Sequence, residues 1–183
     1  MKSIVITGPS RTGKTTFCKM LLKKYPELNY LSGDIINISN KQREHIAPCI
    51  TVTKNNLIEN LEYKIFCDSV EIEPDLAFLL ENPFVPLDDV IKDKPSNCLI
   101  IVFGYLNIDE DKAVFNIMHN DTEDSWTYGK STEEIKRLFR KYVVESRHNK
   151  KLCKKYNIKY VDTLDNREKV FDELIKWVDK NIR

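Results

Sequence analysis

The chain has 183 residues, 42% of them hydrophobic, enough for one core, and a formal net charge of +1 at pH 7. That length suits a single domain, and the near-neutral charge argues against nucleic acid or an anionic membrane surface as the main partner. No apolar run approaches the roughly 20 residues that a membrane-spanning helix needs.

Ser3–Thr7 is short, β-branched and closed by a glycine, which predicts a buried first strand rather than a signal peptide. A helix is predicted from Gly13 to about Lys24, stopping before Pro26, and a short strand over Asn29–Leu31. Gly33 and Asp34 open a helix running toward Pro48. Thr51 or Thr53 can cap a long helix to about Glu71, in which Leu57, Leu61, Ile65 and Phe66 recur at helical spacing. The continuous apolar run Leu76–Leu80 predicts a third buried strand ending in Glu81, and Cys98–Phe103 a fourth. Asp109–Met118 reads as helix, and the polar stretch His119–Lys130, with Trp126, Tyr128 and Gly129, as an exposed loop. Ser131 and Glu134 have the spacing of a capping box and start a helix reaching about Tyr156. Ile158–Val161 is a fifth strand, and Arg167–Asn181 a final helix with Val170, Phe171, Leu174, Ile175 and Val178 on one side. Strands alternating with helices imply an α/β fold whose parallel sheet is covered on both faces.

The five cysteines (Cys18, Cys49, Cys67, Cys98, Cys153) are odd in number and never spaced Cys-x-x-Cys. That pattern argues against a disulfide framework or a zinc site and fits a reducing cytoplasm.

Gly8-Pro9-Ser10-Arg11-Thr12-Gly13-Lys14-Thr15 matches G-x-x-x-x-G-K-[ST] at every fixed position, with a predicted strand before it and a helix after. Gly8 and Gly13 permit backbone angles closed to other residues, so the chain can wrap phosphate oxygens. Successive N–H groups after Pro9, from Ser10 through Thr12 and on to Thr16, and the helix N-terminus present partial positive charge. Lys14 reaches the β- and γ-phosphates as a point charge. The Thr15 hydroxyl is placed to ligate magnesium (Mg2+). The pattern points to a nucleoside triphosphate bound with magnesium.

The loop and its flanks resemble the P-loop NTPase superfamily, and the short length and element order resemble its kinase branch, which holds nucleoside monophosphate kinases and shikimate-kinase-like enzymes. The resemblance implies a three-layer α/β sandwich with a five-stranded parallel sheet in the order 2-3-1-4-5. It implies one P-loop kinase-like domain over residues 1–183, with an acceptor-binding insert at about 35–70 and a lid at about 119–131. It also implies ATP and Mg2+ as cosubstrates and a small-molecule phosphate acceptor, in a monomer or homodimer. GTPases carry Asp-x-x-Gly and Asn-Lys-x-Asp; none of the five glycines has Asp three residues before it, and Asn40-Lys41-Gln42-Arg43 ends in Arg43.

Two acids stand near predicted strand ends, where ligands gather in such sheets. In hydroxyl-phosphorylating relatives an Asp at the place of Asp34 binds the acceptor alcohol and takes its proton; Asp34 equally suits a helix N-cap. Glu81 resembles the acid at the end of the family's Walker B strand, which holds magnesium through water, although Asp is usual there. A solvated acid at a strand end is the plainer alternative. Asp88 and Asp89 read as surface charges.

On the helix from Ser131, the residues Ile135, Leu138, Phe139, Tyr142 and Cys153 cluster on one side. Arg137, Arg140, Arg147 and Lys151 lie opposite, around Val144. The resemblance places arginines on or beside the lid, so Lys130, Arg137 and Arg140 are candidates for neutralising charge in the transition state. A solvated helix face has the same appearance. Lys41, Arg43 and His45 lie on the acceptor insert. By resemblance the segment from Asp162 to Asn166 runs beside the adenine, with Arg11 near it. The expected acceptor is a hydroxyl of a nucleoside, sugar or small acid, or a nucleoside monophosphate. The alternative is a nucleotide-gated ATPase that regulates a partner.

Overall fold

The computed structural model describes residues 1–33, 57–82, 85–123, 125–164 and 166–183. Five strands alternate with helices along them: β1 (Ser3–Thr7), α1 (Lys14–Lys24), β2 (Leu28–Ser32), α2 (Leu57–Ile72), β3 (Ala77–Asn82), α3 (Leu87–Lys92), β4 (Cys98–Gly104), α4 (Glu110–Asn120), α5 (Thr132–Tyr156), β5 (Lys159–Asp162) and α6 (Arg167–Asn181). All strand pairs are parallel and the order is β2-β3-β1-β4-β5, as the resemblance implies.

β1 is central, so its five residues are all buried and its side chains serve two cores. Ile4 and Ile6 face one core, with Phe17, Leu21, Phe103 and Phe171. Val5 faces the other, with Phe66, Leu80, Val102 and Cys153. A third cluster joins α4 to α5 through Val114, Ile117, Ile135 and Phe139. Local signals hold the α5 ends: Ser131 and Glu134 form a capping box, and Asn157 closes the helix in the left-handed region at φ 53°.

Several expectations are corrected. β3 runs on through Glu81 and Asn82, which pair with Ile6 and Thr7, so Glu81 lies inside the sheet. Leu76 precedes the strand and is exposed. Ile65, which recurs at helical spacing, is 42% exposed; Glu62, Tyr63, Phe66 and Val70 form the buried face of α2. α4 extends past Met118 to Asn120. The predicted helix from Asp34 toward Pro48, the caps Thr51 and Thr53, and the side chains of Leu57 and Leu61 lie outside the described residues. Cys18, Cys67, Cys98 and Cys153 are free thiols. Among the described residues no helix is long and apolar enough to cross a membrane.

Candidate functional site

The loop from Gly8 to Gly13 leaves the carboxyl end of the central strand and turns into α1, so it sits at the edge where parallel sheets bind ligands. Gly8 has φ 124° and Gly13 φ 91°, both closed to most side chains. Gly13 is the N-cap of α1, and that helix start has no side-chain cap and no acid in its first turn. The other helices whose first turns are described all carry acids there: α3 has Asp88 and Asp89, α4 Glu110 and Asp111, α5 Glu133 and Glu134, α6 Glu168. α1 thus keeps its positive end for a negative charge from elsewhere.

Lys14 is only 5% exposed, and its ammonium donates to the carbonyls of Gly8, at 2.8 Å, and Pro9, at 2.7 Å. Thr12 also donates to the Pro9 carbonyl, at 2.9 Å, which tightens the turn. A cation folded back onto its own loop is held at the mouth of the helix N-terminus. Thr16, on the first turn of α1, is exposed beside Thr15.

Glu81 is 3% exposed, so it is not a solvated acid. Its two carboxylate oxygens each accept from a different hydroxyl: Oε1 from Thr15 at 2.6 Å, and Oε2 from Tyr30 at 2.6 Å. Burial, then the Glu81 hydrogen bond and charge, push the Tyr30 phenol far above its ordinary range, so it is a donor at any working pH. Burial and the nearby Glu81 charge likewise hold the Cys18 thiol well above its usual value, which leaves it unreactive. The pair Thr15 and Glu81 offers hard oxygen donors, the kind magnesium takes. Among the described residues no group of three or more His, Cys, Asp or Glu could hold a metal. A magnesium ion here fits as one carried largely by nucleotide phosphates and water.

Arg11 carries the third unusual angle of the loop, φ 67°, and has neighbours in three parts of the chain. Its guanidinium pairs with Asp121 at 2.7 Å and donates to the Thr127 hydroxyl, which in turn donates to Asp121. Its carbonyl accepts from the Tyr105 hydroxyl and from Arg167 at 3.3 Å. A non-glycine residue in the left-handed region persists when such contacts over-determine it. The stretch His119–Lys130, predicted as an exposed loop, is exposed at most of its described positions; it begins as the end of α4 and is then turned in on itself through Ser125 N–H to Thr122 O (2.8 Å) and Tyr128 N–H to Ser125 O (2.9 Å), with Thr127 buried against Arg11. Trp126 and Tyr128 are exposed, and the Lys130 ammonium lies 5.9 Å over the Trp126 ring. The Asp121 side chain is 4% exposed, so Asp121→Ala is expected to lower the unfolding free energy by about 1–3 kcal/mol in urea titration. The same variant should speed amide exchange across residues 121–131, measured by mass spectrometry.

The arginines of α5 are placed less simply than the sequence suggests. Arg140 is held by a two-point pair to Glu110, at 2.7 and 2.8 Å, and by Glu133 at 3.1 Å. Arg147 donates to the Leu106 carbonyl at 3.1 Å. Arg137 is exposed, in a shallow groove with Lys141, Val144 and His148. Two further α5 residues interact with the phosphate loop: Tyr142 lies against the Ser10 hydroxyl, and Glu145, which shares the groove of Arg137 and Arg140, is within the field of Lys14. Glu145 as a whole is exposed, yet crowding around its carboxyl raises it above the ordinary range, against the pull of Lys14.

A cleft of about 520 Å³ adjoins the loop, lined by Arg11, Tyr105, Asn116, Ile117, Leu164 and Arg167 among others. Its volume is in the range of small-molecule sites. The structure therefore brings together the loop, Glu81, Arg11 and part of the segment after β5. Asp34, Lys41, Arg43 and His45 lie outside the described residues.

No family model matches the chain, and no curated protein matches it. Solved structures do. A gluconokinase from Sinorhizobium meliloti 1021 aligns over 98% of this chain and 92% of its own, with TM-score 0.59 at 10% identity. A shikimate kinase from Bacteroides thetaiotaomicron aligns over 97% and 98%, with TM-score 0.58 at 12% identity. A sugar kinase from Janibacter sp. HTCC2649 aligns over 100% and 96%, with TM-score 0.58 at 12% identity. The chain has the fold of the small P-loop kinases. At this identity the likeness establishes the P-loop kinase fold, and function has to be argued from the site.

Tyr30, Tyr105, Asp121, Thr127 and Glu145 are the site residues that sequence reasoning missed. Each is tied to the loop or to Glu81 by a hydrogen bond or, for Glu145, by the field of Lys14, which only the fold creates. Ser131 and Glu134 show the contrast, since their pairing was legible from spacing alone.

Proposed function

We propose that the protein transfers the γ-phosphoryl group of ATP to a small-molecule acceptor. The observation that carries this is the pairing, at one sheet edge, of an uncapped, acid-free helix N-terminus bearing Lys14 with the buried Thr15–Glu81 pair. Lys14 and the loop amides hold the β- and γ-phosphates, while Thr15 and Glu81 are the residues that would hold magnesium. Magnesium, when bound with the nucleotide, neutralises phosphate charge. The cleft beside Arg11, Leu164 and Arg167 receives the base. Support also comes from the fold, since three structures that share it are named as kinases of gluconate, shikimate and a sugar.

In this reading the acceptor hydroxyl attacks the γ-phosphorus, the bond to the ADP oxygen breaks, and the hydroxyl proton passes to a carboxylate. Asp34 is proposed for that role, directly before the acceptor insert of about 35–70. Arg137 and Arg140 are proposed to neutralise charge from beside a lid of about 119–131. Arg140 can do so only after leaving Glu110 and Glu133, so Arg137 is the better placed of the two.

The test is ADP formation from γ-labelled ATP with pools of sugars, nucleosides, small hydroxy acids and nucleoside monophosphates. The expected result is turnover at least about 10-fold above the rate without acceptor, with label in one product. ADP formation equal with and without every pool, and label only in inorganic phosphate, would favour a nucleotide-gated ATPase instead.

A further inference from the structure

We propose that Tyr30 is a positioning residue that fixes the metal-binding carboxylate of Glu81, a proposal that rests on the kinase reading above. The β2–β3 register sets Tyr30 opposite Leu79 and Ser32 opposite Glu81. Tyr30 and Glu81 are therefore diagonal neighbours on one sheet face, a separation that long side chains bridge. The Tyr30 hydroxyl donates to Oε2 at 2.6 Å, and Thr15 donates to Oε1 at 2.6 Å. Two donors from different elements, one on each oxygen, define the plane of the carboxylate. Without Tyr30 the carboxylate would be held from α1, by Thr15 and the weakly donating Cys18 thiol, with its tie to β2 lost.

The chemistry explains why such a device is needed here. Glutamate has one more torsion than aspartate, and its terminal torsion is broad. A Glu at a metal position thus requires restraint that a shorter Asp does not. Tyr30 supplies it from a rigid place, because its ring packs against the core beneath α1 and α6. The hydroxyl is held by the fold and in turn holds the carboxylate, the arrangement by which outer partners orient metal ligands. Thr15 gives its proton to Glu81, which leaves the lone pairs of its own oxygen for a cation.

The experiment measures binding of a fluorescent, non-hydrolysable ATP analogue, first in chelator and then across a magnesium titration, for the wild type, Tyr30→Phe, Glu81→Gln and the double variant. Unchanged circular dichroism spectra establish that each variant is folded. In chelator, wild type and Tyr30→Phe should bind alike, because Tyr30 touches no phosphate group. In magnesium, Tyr30→Phe should need about 10-fold more metal for half-maximal effect. Tyr30→Phe should add nothing once Glu81→Gln is present, since it acts only through that carboxylate. A purely structural tyrosine would lower thermal stability and leave the magnesium midpoint in place, and that result overturns the proposal. Full additivity of the two substitutions also overturns it. Failure of the kinase reading looks different: the wild type itself would bind no nucleotide, or bind it with no magnesium effect.

Discussion

Lys14→Ala is expected to weaken binding of a magnesium-bound, non-hydrolysable ATP analogue by about 100-fold or more, measured by isothermal titration calorimetry. A lysine that donates to two phosphates makes charge-assisted bonds of about 1.5–3 kcal/mol each, and about 1.4 kcal/mol is a factor of ten. The structure adds a second, smaller effect. The Lys14 ammonium donates to the Gly8 and Pro9 carbonyls. Its removal takes a donor from both carbonyls, of which Pro9 keeps Thr12, and the loss should be about 1–2 kcal/mol of stability in urea titration. The variant should therefore be folded and nucleotide-blind. Equal affinity in the two proteins would show that the nucleotide sits elsewhere.

The second large effect is expected at Gly8. A methyl group there would lie 2.1 Å from the Phe103 carbonyl oxygen and 3.0 Å from its carbon, at a φ of 124°. Phe103 is a fully buried residue of β4, so the obstacle is sheet backbone that cannot swing aside. Gly8→Ala is expected to cost more than about 4 kcal/mol, a large share of the 5–15 kcal/mol that keeps a domain folded. Gly13 makes the control. A methyl there would meet the Phe171 ring at 2.9 Å and the Arg167 side chain at 3.2 Å, groups that can move. Gly13→Ala should cost less, about 1–3 kcal/mol, with strain from φ 91° included. Urea denaturation of all three proteins checks the ranking, and a Gly8→Ala protein as stable as the wild type would contradict it. The first glycine of the motif is thus required by the sheet as well as by any phosphate.

These two positions also show what a sequence reveals. The loop, its strand and its helix were legible because every requirement is local: a β-branched run, two glycines at fixed spacing, a lysine, then helical periodicity. The strand order followed from resemblance to a family. The Ser131 capping box was legible for the same local reason. What escaped was set by contacts between distant segments. Tyr30 gains meaning only from the β2–β3 register that sets it diagonally from Glu81. Arg11 and Asp121 are 110 residues apart, and no spacing rule joins them. Arg140 looked like an unengaged cation on a polar face, yet the α4–α5 packing brings Glu110 to it. Ile65 fits helical spacing, but the buried stripe of α2 is centred on Phe66, and the sheet decides which stripe is covered.

The most direct test is a nuclear magnetic resonance titration of nitrogen-15-labelled protein with a magnesium-bound, non-hydrolysable ATP analogue. If the phosphates lie on the helix N-terminus, the amide signals of Gly13, Lys14 and Thr15 will move furthest, with smaller changes at Leu164 and Arg167 beside the base. Saturable binding that shifts other signals and leaves those three amides unmoved would contradict a phosphate site at this loop.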